Sequence, residues 1–260
     1  MSLVELRLLH DPFFSFSLPL VLLQAPSLLP DARACSDNGG PLETMTNHPL
    51  RGGKFSDFEG GVRSAAFVSG GLLPASARGT TSNGYVMLAD WYTTFSHLAG
   101  IDATDAKAER AGLPPPDGLD MWPMLSGRNR TSPRTELPIS SHTLTVGDWK
   151  IMTSTQRYNT WTPLTGWPPD FECRDRNSSK PLRCSADKPC LFNVREDPNE
   201  RVDLSRRNST VLRRMMASLR SMQATVWHNC DPPSVCEQIN ASTYCENAHT
   251  LYGDVYGPMR

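Results

Sequence analysis

Residues 36–63 read SDNGGPLETMTNHPLRGGKFSDFEGGVR, a mixture poor for a core and good for a site. Asp37 and Asn38 set two hard oxygen donors side by side. Gly39-Gly40 lets the backbone turn tightly next to them. Lys54 is a compact cation able to hold an anion, and Gly60-Gly61 leads into Arg63. On residue types alone a plainer reading stands beside this one: Asp-Asn-Gly-Gly is a good turn, and Lys54 an exposed lysine. His48 reads as a loop histidine, although an imidazole can protonate a leaving alcohol. Arg51, Glu59 and Arg63 read as a charge network that shapes the loop.

Around this stretch the chain sets broad bounds. Its 260 residues suffice for one large or two modest domains. A net charge of −1 provides no field for nucleic acid or an acidic membrane surface. With 22 prolines, 18 glycines and 38% hydrophobic residues, the sequence predicts many loops around a thin core. Cysteines stand at 35, 173, 184, 190, 230, 236 and 245 without CxxC spacing, which disfavours a zinc ribbon and favours disulfides of open connectivity. Four N-x-S/T sequons, at Asn129, Asn177, Asn208 and Asn240, agree with glycosylation and a secretory route, lysosomal or extracellular. Residues 13–23 (FFSFSLPLVLL) and Ala32-Arg33-Ala34 give residues 1–35 the look of a leader, signal-like or artefactual. Glu5, Asp11 and the prolines at 19, 26 and 30 weigh against a signal peptide or a membrane span.

Further along, residues 62–68 read as a short strand. Residues 90–99 read as a helix capped by Asp90, with Trp91, Tyr92, Phe95, Leu98 and Ala99 on a core face and Gly100 as its stop. The proline-rich stretch 112–127 reads as irregular. Residues 137–146 and 149–155 read as two hairpin strands turning at Gly147-Asp148. A polar excursion covers 158–189, a short strand 191–194, and an Asp-Pro-Asn turn 196–200. A final helix, which Asn208 can cap and which runs to about Trp227, has Val211, Leu212, Met215, Met216, Leu219, Met222 and Val226 on its apolar face, with Arg213, Arg214 and Arg220 mainly toward its other side.

Six segments occur in order: SDNGG, NHPLRGGKFSDFEGGVR, DWYTTFSHLAGID, DGLDMWPMLSG, GDWKIM and LFNVREDPNERVDLS. Together they resemble the C-terminal portion of the type I sulfatases. NHPLRGGK, the sequon-rich tail and Tyr256-Gly-Pro make the chain most similar to the arylsulfatase B branch. The resemblance covers most of 36–204 and, more loosely, the tail. It implies an α/β fold. Residues 36–135 would end an alkaline-phosphatase-like domain, and 136–260 would form a small antiparallel sheet with a packed helix and a cysteine-rich tail. By the same resemblance Asp37 and Asn38 help bind calcium, a hard cation suited to carboxylate and amide oxygens. The ion would polarise a sulfate ester. Lys54 would contact the sulfate and stabilise charge as the S–O bond breaks. Sulfated carbohydrates or aryl sulfate esters are the implied substrates of full-length relatives, with oligomeric state open.

The departures matter as much. No cysteine lies in the C-x-P-S-R setting that the family converts to formylglycine: Cys35 precedes Ser-Asp-Asn, and Cys230 precedes Asp-Pro-Pro. The family's paired aspartates also have no counterpart, since no Asp-Asp pair occurs. Residues 29–35 (LPDARAC) make a poor central strand before the Asp-Asn pair, so the resemblance begins abruptly near Ser36. The expectation is a sulfuric ester hydrolase relative that keeps one part of the calcium and sulfate site and is catalytically incomplete as it stands. The alternative is a secreted, non-catalytic glycan-binding or interaction module.

Overall fold

The computed structural model describes residues 3–6, 31–35, 38–42, 45–161, 182–226 and 249–250. The chain divides into two units, residues 1–220 and 221–260. The architecture below belongs to the first, apart from the last residues of the final helix.

A three-stranded antiparallel sheet has the order β1-β3-β2, with β1 at Leu3–Leu6, β2 at Asp31–Cys35 and β3 at Ala66–Gly70. The polar β2 is therefore an edge strand, where charge is tolerated, and β3 takes the centre. The strand expected over 62–68 begins later. Glu59–Val62 instead form one helical turn, α1, in which Val62 N–H donates to Phe58 C=O and Arg63 N–H to Glu59 C=O.

Helix α2 spans Asp90–Leu98, and Gly100, at φ +67°, ends it. The cap position falls to Ala89, because the Asp90 side chain is turned inward. Trp91 stacks on Phe95 at 5.5 Å and joins Val68, Leu73, Met121, Trp122 and Leu125 in the first core cluster. Tyr92, expected on that face, is exposed instead: its neighbour Trp91 holds the buried stripe, and one step along a helix turns a side chain well round the axis. A short helix α3 spans Ala106–Arg110, capped by Asp105. Another, α4, spans Trp122–Leu125 within the stretch read as irregular, and its side chains fill the same cluster.

The second sheet has the order β4-β5-β6-β7, all antiparallel: β4 Glu136–Ser140, β5 Thr143–Val146, β6 Trp149–Met152, β7 Cys190–Asn193. The single strand expected over 137–146 is a hairpin of its own, folding back at Ser141-His142. The turn at Gly147-Asp148 is as expected, with Gly147 at φ +55°. Register places Thr145, Lys150 and Phe192 in one row, with Thr143, Met152 and Cys190 in a second row on the same face. Phe58, Cys184 and Val194 complete the cluster there, and Cys184 is disulfide-bonded to Cys190. Leu144, Ile151 and Leu191 form the buried row of the opposite face. The sheet packs against a helix. Helix α5, Ser209–Gln223, buries Met215 and Leu219 and exposes Arg213, Arg214 and Arg220, as its stripe predicts. The expected membership of Cys173, Cys230, Cys236 and Cys245 in disulfides lies outside the described residues, as do the sequons at Asn177 and Asn240. No helix among the described residues is long and apolar enough to cross a membrane.

Candidate functional site

The segment from Asn38 to Arg63 folds into a knot of backbone on backbone. Gly39 N–H donates to Gly61 C=O at 2.9 Å, and Gly60 N–H donates to Arg51 C=O at 2.7 Å. A Cβ on Gly39 would lie 1.7 Å from the Gly60 carbonyl oxygen, which no side chain can occupy. Asn47 closes the knot from within. Its Oδ1 accepts from Gly40 N–H at 2.8 Å, while its Nδ2 donates to Gly40 C=O at 2.8 Å and to Gly52 C=O at 3.2 Å. The peptide bond between His48 and Pro49 is cis. Lys54 N–H then donates to Gly40 C=O at 3.1 Å. The lysine is thus fastened two residues beyond Asn38, although sixteen residues of sequence separate Asn38 from Lys54.

Residues 53–56 form a tight turn. Ser56 N–H donates to Gly53 C=O at 3.0 Å, and the Ser56 hydroxyl both accepts from Gly53 N–H and donates to Gly53 C=O. Lys54 and Phe55 occupy its two central positions. Asp57 is held just beyond: one carboxylate oxygen accepts from the Ser140 hydroxyl at 2.9 Å, the Thr143 hydroxyl at 2.6 Å and Gln156 Nε2 at 3.3 Å. These bonds tie the knot to β4 and β5.

Beneath the knot lies a buried ion cluster. Lys150 Nζ is 2.6 Å from Glu59 Oε1, 2.9 Å from Glu200 Oε1 and 2.9 Å from the Asp57 carbonyl oxygen, with Lys150 and Glu200 both wholly buried. Glu200 Oε2 accepts from Glu59 N–H at 2.6 Å, and Arg63 approaches Glu59 at 3.6 Å. Burial pushes the Glu200 carboxyl up to about 7, and Lys150 pulls against that shift. For Lys150 burial acts downward, but Glu200 and Glu59 outweigh it and the ammonium is held above its usual value. Arg51 is also buried. Its Nε donates to Asn159 C=O and its Nη1 to Glu200 C=O, and its guanidinium lies between the rings of Phe58 at 4.3 Å and Trp161 at 4.5 Å. The charge network expected of Arg51, Glu59 and Arg63 is therefore present in part. Glu59 and Arg63 are ion-paired, whereas Arg51 is held by carbonyls and aromatic faces.

Sequence reasoning missed Lys150 and Glu200, the residues that carry the cluster. A signal existed. Lys150 stands two residues before Met152 in a strand of alternating faces, so it shares the inward side with a methionine.

Of the predicted site residues, Asp37 lies outside the described residues. Asn38 and Lys54 are half-buried and share the knot. For calcium, an amide oxygen such as that of Asn38 is chemically suited, but the ion takes six to eight oxygens. No group of three or more His, Cys, Asp or Glu able to hold a metal occurs among the described residues. The described donors fit calcium in kind but not in number, and no chemical step is derived through it. Asn129 is exposed, with its Oδ1 accepting from Thr131 N–H and Oγ1, and Asn208 is half-buried where α5 begins.

No protein-family model matches the chain. Mouse (Mus musculus) arylsulfatase J is 31% identical over 219 residues, covering 73% of this chain and 34% of arylsulfatase J. N-acetylgalactosamine-6-sulfatase from pig (Sus scrofa) is 32% identical over 192 residues, covering 65% and 32% of the two chains. Among solved structures, the PsFucS1 sulfatase from Pseudoalteromonas sp. superposes with a TM-score of 0.53 at 24% identity, over 75% of this chain and 37% of that one, a likeness of fold. The chain spans about a third of the length of the curated relatives it matches. These relatives support the sulfatase family without singling out its arylsulfatase B branch. The chain is thus similar in sequence to sulfatases over about a third of their length, and similar in fold to a sulfatase structure.

Proposed function

We propose that this chain carries one wall of a sulfate-ester site of the arylsulfatase B kind. Lys54 supplies the cation that contacts the sulfate, and Asp37 and Asn38 supply oxygens for calcium. The observation that carries the reading is the bond from Lys54 N–H to Gly40 C=O, which keeps the lysine beside the Asn38 turn. The chain's own part is to hold one sulfate oxygen at the Lys54 ammonium and to offset charge that builds on the departing group. The 260 residues hold no C-x-P-S-R motif to supply a formylglycine, so we read them as recognising sulfate esters without hydrolysing them. Sulfated sugars and aryl sulfates are the ligand classes. The disulfide and the exposed sequon at Asn129 support a secretory, lysosomal or extracellular setting.

The test is calorimetric titration of the chain with inorganic sulfate and an aryl sulfate, with and without calcium, for wild type and Lys54→Ala. Binding lost in Lys54→Ala supports the reading; equal binding by both proteins overturns it. Turnover of the aryl sulfate above blank would sink the claim of catalytic incompleteness. The alternative of a glycan-binding module draws on the exposed Arg213, Arg214 and Arg220 of α5. It predicts instead that charge reversal at these arginines, and not Lys54→Ala, abolishes binding.

A further inference from the structure

Phe55 is the most conspicuous residue that the sulfate reading leaves unused. It is 77% exposed, and its backbone sits at φ +71°. In the turn 53–56 it holds the third position, where a left-handed φ is required and Gly or Asn is usual. A bulky aromatic at positive φ is an outlier, and such residues persist where the surrounding structure imposes them, commonly at ligand sites. The imposing structure is identifiable: the Ser56 hydroxyl clamps Gly53 from both sides, and Asp57 is held by three side-chain donors. The turn thus presents Lys54 and Phe55 together at a fixed place.

The ring is also not isolated. Its centroid lies 5.9 Å from that of Tyr158 at a 42° tilt, and Tyr158 is itself 41% exposed. Lys54 Nζ stands 5.4 Å from the Phe55 centroid. Residue 158 is kept near the knot by the bond from Gly52 N–H to Thr160 C=O at 2.8 Å. A half-buried cation on a clamped turn therefore lies beside Phe55, whose exposed ring is in turn tilted against that of Tyr158. Ligand sites combine apolar and aromatic surface with a few placed polar groups in this way.

We propose that Phe55 and Tyr158 form a stacking platform for the ring of a sulfated sugar whose sulfate is held by Lys54. The platform rests on the sulfate reading of Lys54 and adds to it a preference for the sugar over the bare anion. The apolar face of a pyranose lies on the Phe55 ring, and the sulfate projects past its edge to the ammonium. The strained φ at Phe55 is the means by which the ring is kept beside the cation.

The experiment measures binding of inorganic sulfate, N-acetylgalactosamine 6-sulfate and unsulfated N-acetylgalactosamine to the 260-residue chain. It compares wild type with Phe55→Gly, Phe55→Tyr, Tyr158→Ala and Lys54→Ala. Phe55→Gly is the decisive variant because glycine accepts the positive φ, so its melting temperature is expected to be no lower than that of wild type. Expected is a loss of about tenfold in affinity for the sulfated sugar in Phe55→Gly, as for removal of one good aromatic contact. Inorganic sulfate should bind unchanged. Phe55→Tyr should keep the affinity for the sulfated sugar, Tyr158→Ala should weaken it, and Lys54→Ala should weaken both anionic ligands. Equal sugar-sulfate affinity in wild type and Phe55→Gly overturns the platform while leaving the sulfate reading intact. Failure of wild type to bind either anionic ligand overturns both.

Discussion

Lys150→Met is the sharpest perturbation of the support beneath the candidate site. The lysine contributes a wholly buried charge between Glu59 at 2.6 Å and Glu200 at 2.9 Å, and the methionine fills similar volume without the charge. Two carboxylates would then face each other, with Arg63, 3.6 Å from Glu59, and Arg51, whose guanidinium binds the Glu200 carbonyl, left to compensate. Breaking a buried pair in this way costs about 3–5 kcal/mol. The penalty should depend on pH, and its sign follows from Glu200. Its folded value of about 7 stands above the ordinary 4.5. A group raised on folding contributes stability that is fully present below the unfolded value and is lost as pH rises through the folded one. A shift of this size corresponds to about 3 kcal/mol. Lys150 is also raised, so its contribution is complete below its ordinary value of 10.5 and does not change between pH 5 and 8. At pH 5 a protonated Glu200 leaves little orphaned charge in Lys150→Met, and the variant should approach wild type. At pH 8 the full penalty should appear. Urea denaturation followed by tryptophan fluorescence at the two pH values measures both. A penalty independent of pH, or one below about 1 kcal/mol at pH 8, would refute the reasoning on a buried, mutually dependent charge cluster.

Glu200→Gln should flatten the fall in wild-type stability between pH 5 and 8, measured by the same denaturation series, because the titrating carboxyl is gone. Gly39→Ala should disrupt the knot, since its Cβ meets the Gly60 carbonyl at 1.7 Å. A loss above the 1–3 kcal/mol typical of overpacking is expected, along with faster hydrogen exchange at the Lys54 amide. Asp90→Asn weakens a wholly buried carboxylate that accepts from Met87 N–H, Leu119 N–H and Arg134, and leaves the Arg134 charge uncompensated. A cost of about 3–5 kcal/mol should show in thermal melting. Reducing Cys184–Cys190, which closes a short loop of sequence separation 6, should cost about 2 kcal/mol, read as the shift in urea midpoint with and without reductant.

Elements with strong local patterns were legible in the chain. Helices α2 and α5 follow their apolar stripes, and β6 and β7 follow short apolar runs. Where glycine or a tight reversal intervened, the pattern misled. The strand expected over 62–68 starts only at Ala66, with Val62 ending a helical turn, and residues 137–146 fold back on themselves, because alternation alone does not mark the reversal at Ser141-His142. The knot's ingredients could be read directly, but its supports could not. Glu200 reads as the end of a turn, and becomes a buried carboxyl only when the fold sets it against Glu59, 141 residues earlier. Phe55 reads as an ordinary aromatic, since nothing in its neighbours reveals a positive φ. Tertiary partners, and not propensity, decide these positions.

The Arg51 guanidinium reaches the Glu200 carbonyl across 149 residues of chain. During synthesis the glycine segment therefore leaves the ribosome long before the groups that order it. Chains are made at roughly 5–20 residues per second, so the wait lasts on the order of ten seconds. For most of that interval Phe58 and the paired glycines lack β6, and for all of it they lack the 196–200 turn. Contacts this distant in sequence also slow folding. The glycine segment consequently waits on late-made partners before its long-range contacts can form.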